Sequence, residues 1–332
     1  MCMYSTPDGK ATDWHLVHLG SRAVGGAGMV IVEATAVEAR GRISPFDAGL
    51  WEDVQIDSWA RITKFLKEYG AVPAVQLAHA GWKGSTPRPW ESGSQVPLNN
   101  GGWTPVGVTD KPFNPSDPPP QMLSLAEIQT VRRSFSAAVK RALAAGFQTI
   151  EIHAAHGYLL HSFYSPVSNT RTDEYGGSFE NRVRLTLEVV KDTRKLLPDH
   201  FPLLVRISSS DWIDGGWTIH DSVALAKLLK SEGVDLIDCS SGGMRGGKIV
   251  VGPHYQTPFA EQIRKEADIR TAAVGMITDP IEADKIIREG KADMVLLARE
   301  FLRDVYWPLH AAKALGQVDR INPPVQYGRA FL

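Results

Sequence analysis

Leu203-Leu204-Val205-Arg206-Ile207, an amphipathic run over 222–232, then Leu236-Ile237-Asp238-Cys239-Ser240: this stretch decides the fold. Two short apolar segments flank a helical one, the pattern of a βα unit running into the next strand. Strands apolar on both faces belong in a parallel sheet covered by helices. The same alternation recurs outward in both directions. Further strands are expected over 29–33, 72–77, 149–153, 271–275 and 294–297, and further helices over 125–145, 179–197 and 281–289. The fold class expected is therefore α/β, a (β/α)8 TIM barrel forming one domain over 1–332. Seven strands are visible, so the first of the eight is expected before Met1. The Gly-, Pro- and Ser-rich segment 84–122 follows the third barrel strand on that count and reads as a capping loop, because structureless insertions of this length are usually functional. Residues 317–332 form a C-terminal arm.

Composition narrows the function classes. Of 332 residues, 43% are hydrophobic and 22% charged, and 36 Lys plus Arg balance 37 Asp plus Glu. A net charge of -1 gives no steering toward nucleic acid or an anionic membrane surface. The cysteines are Cys2 and Cys239, too few for a disulfide framework. No apolar run approaches the roughly 20 residues of a membrane span, and the first residues lack the pattern of a secretion signal. A cytoplasmic location is expected.

In such a barrel the chemistry gathers at the C-terminal ends of the strands. The polar residues expected there are Glu33, Gln76, His79, His153, His156, Tyr158, Arg206, Ser240 to Gly243, Gly275 and Ala298-Arg299-Glu300. The loops after the last two strands commonly bind phosphate through backbone N–H groups and a helix N-terminus. Gly275 and Ala298-Arg299 occupy those loops, with a helix expected to begin near Arg303, and the Arg299 fork suits an oxyanion. A structural Arg299 paired with a surface carboxylate is the competing possibility. His153 and His156 can present two imidazole N–H donors to one oxygen, and Tyr158 can deliver a proton. Core histidines or metal ligands are the alternatives; no carboxylate or thiolate partners them nearby, so no metal is expected.

These stretches, taken in order, resemble the Old Yellow Enzyme flavoproteins, specifically their cysteine-containing bacterial-type ("thermophilic-like") class. The likeness runs through Met1-Cys2-Met3-Tyr4-Ser5, Val32-Glu33-Ala34-Thr35, Gln76-Leu77-Ala78-His79-Ala80-Gly81, Glu151-Ile152-His153-Ala154-Ala155-His156-Gly157-Tyr158, Arg171-Thr172-Asp173-Glu174-Tyr175-Gly176-Gly177-Ser178 and Val205-Arg206-Ile207-Ser208. The resemblance implies an FMN-dependent ene-reductase. Ala34 and Gln76 would contact the isoalloxazine and Arg206 its N1/O2 edge, with Met1, His153 and Gly242 also on the cofactor. Cys2 would sit near O4/N5, and Gly275, Ala298 and Arg299 would hold the phosphate.

The resemblance further implies a ping-pong cycle in which NADPH or NADH reduces FMN and an activated alkene then takes the same place. The alkene would be an α,β-unsaturated carbonyl, nitroalkene or maleimide. His153 and His156 would hold its oxygen, Tyr158 would protonate its α-carbon and Tyr4 would line the pocket. Tyr327 and Arg329 match an arm that in this class enters the neighbouring subunit's site, which implies a homodimer or homotetramer.

The chain departs from that pattern at Trp82, where a basic residue is usual, at Ala298, where Gly is usual, and at Gly328, where an acid is usual. A methyl at Ala298 requires a negative φ there. The alternative function is a degenerate or truncated flavin-binding barrel. Relatives acting on dienoyl-CoA or amines need a cysteine cluster for an iron–sulfur centre. A flavin-free aldolase would need a Schiff-base Lys at a strand end, and none is there.

Overall fold

The computed structural model describes residues 1–330. In chain order its elements are α1 (Asp13–Val24), β1 (Met29–Ala36), α2 (Ile56–Glu68), β2 (Val72–Ala78), β3 (Val106–Gly107), β4 (Gln121–Met122), α3 (Leu125–Ala144), β5 (Thr149–Ala154), α4 (Leu159–Tyr164) and α5 (Phe179–Arg194). They continue with β6 (Leu203–Ser208), α6 (Ile219–Ser231), β7 (Leu236–Ser240), α7 (Thr257–Ala267), β8 (Arg270–Val274), α8 (Pro280–Arg288), β9 (Met294–Leu296), α9 (Arg299–Arg303) and α10 (Trp307–Ala314).

The expected strands form one seven-stranded sheet in the order β1-β2-β5-β6-β7-β8-β9. Every neighbouring pair is parallel, as short apolar strands joined by helices require. Each of these strands precedes a helix, and β5 and β7 are buried along their whole length. Among the described residues β1 and β9 are the two edges of the sheet. Helix side chains such as Trp59, Phe135 and Leu225 complete a continuous apolar core with the strands.

Helix starts follow local chemistry more closely than hydrophobic period. The α6 helix begins three residues earlier than its apolar pattern predicts, because Thr218 and Asp221 form a capping box at Ile219. Ser124 with Glu127 does the same for α3, and Asp279 followed by Pro280 starts α8. The helix expected near Arg303 instead opens at Arg299, so Arg299 stands in the first turn of α9 and not in the loop before it. The capping segment is not wholly irregular: β3 and β4 pair with each other and tie its two halves together.

One irregularity positions the site. The β1–β2 register slips between Val32 and Ala34, a bulge that frees Glu33 from the ladder. Its carboxylate accepts from the Met3 backbone N–H at 2.7 Å and bonds His15 Nε2 at 3.1 Å. The amino-terminal segment carrying Cys2 and Tyr4 is thereby fastened to the first strand of the sheet.

Candidate active site

A cavity of about 340 Å3 opens at the C-terminal end of the sheet and along its β1 and β9 edges. Of the residues expected at a cofactor, Met1, Cys2, Ala34, Gln76, His153, Arg206 and Ala298 line it, together with His156 and Tyr158. The strand ends supply most of them, since residues at equivalent register on a parallel sheet face one mouth. Gln76 is in register with Glu151, and Arg206 with both His153 and Asp238.

The histidine pair is held by its own backbone. His153 is the penultimate residue of β5; its ring lies 5.2 Å from that of His156 and 5.2 Å from that of Tyr158, centroid to centroid. His156 adopts φ 61°, a left-handed conformation uncommon outside glycine. Its N–H donates to Ser208 Oγ at 2.9 Å and its Nε2 bonds Ser240 Oγ at 2.7 Å. Gly157 follows at φ 75° and its N–H donates to His161 Nδ1 at 2.8 Å. His161 Nε2 in turn bonds Asp211 at 2.8 Å, and Ser165 and the Trp217 N–H also donate to that carboxylate. The turn carrying His156 and Tyr158 is thus fixed from beneath by a buried relay. The motif alone gave no hint of it.

Burial, then the charge of Arg206, holds both imidazoles well below the usual histidine range, so they are neutral donors at neutral pH. Burial raises the Tyr158 phenol well above its ordinary value and keeps it protonated. Burial, then Glu33 and Asp47, also keeps Cys2 a thiol. A site with neutral imidazole donors and a protonated phenol can hold an electron-rich oxygen and release one proton to a developing carbanion.

Sequence reasoning missed Lys83. Its Nζ donates to the carbonyls of His156 at 2.9 Å and Gly243 at 3.3 Å, and lies over the rings of Tyr158 and Phe113 at 4.9 and 4.6 Å. Burial lowers its pKa to about 8. Trp82 donates to the Gly157 carbonyl at 2.7 Å. Only the fold shows where so long a stem as that of Lys83 ends. Lys83, Tyr158, Phe113 and Asn114 line a second chamber of about 140 Å3 beneath the capping segment.

Other expected residues fall elsewhere. Gly242 and Gly275 adopt positive φ, 72° and 120°, beside the cavity and not on its wall. Arg299 is exposed, outside the cavity lining, and makes no ion pair among the described residues. Ala298 has φ −114°, so its methyl meets the condition the sequence set. Tyr4 adjoins Cys2 and packs edge-on against Trp90 at 5.9 Å. Tyr327 and Arg329 are not brought to the histidines; they share a shallow cleft with Tyr306, just before α10, and His310 on α10 of their own chain.

The cavity also passes a test of fit to a flavin. His153 Nδ1 is buried without a hydrogen-bond partner, and Arg206, whose Nε lies 3.2 Å from Asp238, lines the cavity with its guanidinium. A ring system rich in carbonyl and imine acceptors, with a negative charge when reduced, suits that donor set. The site defines a flavin-dependent oxidoreductase on a parallel α/β sheet.

Comparison with known proteins specifies which. The model of the NADH:flavin oxidoreductase / NADH oxidase family matches residues 1–317. The NADPH dehydrogenase of Geobacillus sp. (strain WCH70) is 46% identical over 100% of this chain and 92% of that protein. The NADPH dehydrogenase of Bacillus subtilis (strain 168) is 44% identical over 100% and 93%. Among solved structures, the old yellow enzyme homologue from Zymomonas mobilis aligns with TM-score 0.74 and 25% identity over 93% of this chain and 85% of that one. Morphinone reductase, at 24% identity, shares the fold with TM-score 0.78 over 95% and 84%. The chain belongs to the NADH:flavin oxidoreductase / NADH oxidase family, as an FMN-dependent, NAD(P)H-driven enzyme of the Old Yellow Enzyme type.

Proposed function

We propose that the protein reduces activated C=C bonds: α,β-unsaturated carbonyls, nitroalkenes and maleimides. The observation that carries this is the cluster of His153, His156 and Tyr158 on one wall of the cavity, two neutral donors beside one protonated phenol. FMN, when bound, supplies a hydride to the β-carbon. The imidazoles of His153 and His156 bind the carbonyl or nitro oxygen and stabilise the charge that grows on it. Tyr158 delivers a proton to the α-carbon. Ala34, Gln76, Arg206, Cys2 and Met1 would hold the isoalloxazine, and Gly275, Ala298 and Arg299 the phosphate. The single mouth in front of the histidines supports alternating occupancy by NADPH or NADH and then by alkene.

Arg329 and Tyr327 would complete the pocket of a second subunit, with the arm leaving α10 on association into a homodimer or homotetramer. Their exposure and polar chemistry support that role. The deciding experiment is a titration of the FMN-loaded protein with a para-substituted phenol, followed through the flavin charge-transfer band. His153→Ala should weaken phenol binding about tenfold or more, the loss of a hydrogen bond to a charged group. An unchanged titration would show that the pair does not hold the oxygen.

A further inference from the structure

In the wall of the same cavity the sheet buries two carboxylates that the proposed reaction does not use. Glu151 lies in the middle of β5 and Asp238 in the middle of β7, both with no solvent exposure. Gln76 Nε2 donates to Glu151 Oε1 at 2.6 Å, and Arg206 Nε lies 3.2 Å from Asp238 Oδ2. That leaves Glu151 Oε2 and both Asp238 oxygens buried without a hydrogen-bond donor. Gln76 is in register with Glu151 and Arg206 with Asp238, and all four side chains border the same cavity. Arg206 on β6 is the cation beside them, His153 on β5 is held neutral, Gln76 on β2 is an uncharged amide, and Ala272, in register with Asp238 on β8, brings no charge.

Two buried anions against one guanidinium leave one negative charge uncompensated, which an apolar interior does not tolerate. We infer that Glu151 and Asp238 share one proton, with Glu151 the acid and Asp238 the carboxylate that holds Arg206, its remaining nitrogens turned into the cavity. The proton fills the gap between the unpartnered oxygens, as in other buried carboxylate pairs. Burial first, then the neighbouring charge of Asp238, raises Glu151 well above the usual carboxylate range, with Arg206 and the Gln76 amide opposing. Asp238 is raised by burial and drawn back by Arg206. Both are positioning residues: they set the direction and net charge of Arg206. What this does for a bound isoalloxazine rests on the function proposed above, whereas the shared proton does not.

The test is infrared spectroscopy of the full chain with 13C-labelled glutamate side chains, FMN-loaded and flavin-free. One protonated glutamate carboxyl should be visible at pH 7 and vanish in Glu151→Gln. It should also vanish in Asp238→Asn, because Glu151 then ionises against Arg206. No protonated glutamate in the wild type, or one that survives Glu151→Gln, overturns the assignment; one that survives Asp238→Asn shows burial alone at work and overturns the sharing.

Thermal unfolding gives a second reading that needs only the isosteric Glu151→Gln. A carboxyl with a raised folded-state pKa binds more protons folded than unfolded, so stability falls as pH rises from the ordinary carboxylate range through neutrality. The midpoint of Glu151→Gln should climb relative to the wild type over that interval, and parallel curves refute the proposal. In Glu151→Gln/Asp238→Asn no anion faces Arg206, and the Kd for FMN should rise about tenfold or more; an unchanged Kd would remove the positioning role. A protein that binds no FMN would sink the flavin reading while leaving the first two measurements intact.

Discussion

Gly243→Ala should break the site from its backbone. Gly243 follows β7 with φ 103°, and a Cβ there would lie 2.2 Å from both Cα and C of His156. No flexible side chain can give way, because the obstructing atoms are main chain. The cost has two parts: about 1–2 kcal/mol for a left-handed non-glycine residue, and about 1–3 kcal/mol for overpacking. Gly246 separates them, since it has φ 92° but nothing within 4 Å of its would-be Cβ. Gly246→Ala should therefore cost about 1–2 kcal/mol and leave phenol binding alone. Gly243→Ala should cost about 2–5 kcal/mol in total and also push His156 off its Ser208 and Ser240 partners. The assay is urea unfolding by circular dichroism, paired with phenol titration of the FMN-loaded protein. Equal destabilisation by the two variants, or unaltered phenol affinity in Gly243→Ala, would refute the claim that the β5 and β7 loops touch backbone to backbone.

Tyr158→Phe should slow alkene reduction roughly 100- to 10,000-fold, the usual worth of a general acid, while flavin reduction by NADPH stays within a few-fold in stopped-flow; equal slowing of both half-reactions would remove Tyr158 as the proton donor. Lys83→Met tests the buried ammonium. With its pKa lowered from 10.5 to about 8, folded Lys83 binds fewer protons than unfolded between those values, so wild-type stability should rise relative to the variant over that pH interval; pH-independent differences in unfolding midpoint would count against it. Glu33→Gln should loosen the amino-terminal segment, seen as faster hydrogen exchange at the Met3 amide, and unchanged protection there would contradict the tether.

Much of the site was legible because parallel strands obey a register. Gln76, His153 and Arg206 could be set at one mouth from strand ends alone, and they line it. Glu151 and Asp238 carried a signal that went unread: a carboxylate in mid-strand within an otherwise apolar run is costly unless paired. Lys83 gave none, since its position depends on a four-carbon stem reaching two other loops. The start of α9 escaped for a different reason. Ala298 offers no side-chain cap, so nothing in the residue types marks Arg299 as helical. The relay through His161 and Asp211 was hidden because both residues lie outside the strand ends, in contact only once the chain folds.

The pairing of β3 with β4 gives the capping segment a property of its own. Its closing contacts, Val106 with Gln121 and Gly107 with Met122, are internal to the insertion. Lys83, which fastens the chamber to the β5 and β7 loops, lies before it. The cap behaves as a cassette. Its contents between 110 and 119, outside the buried Val108 and the Thr109–Thr170 contact, can be exchanged to change the shape of the chamber beside Tyr158, while the anchors and the chemistry stay where they are.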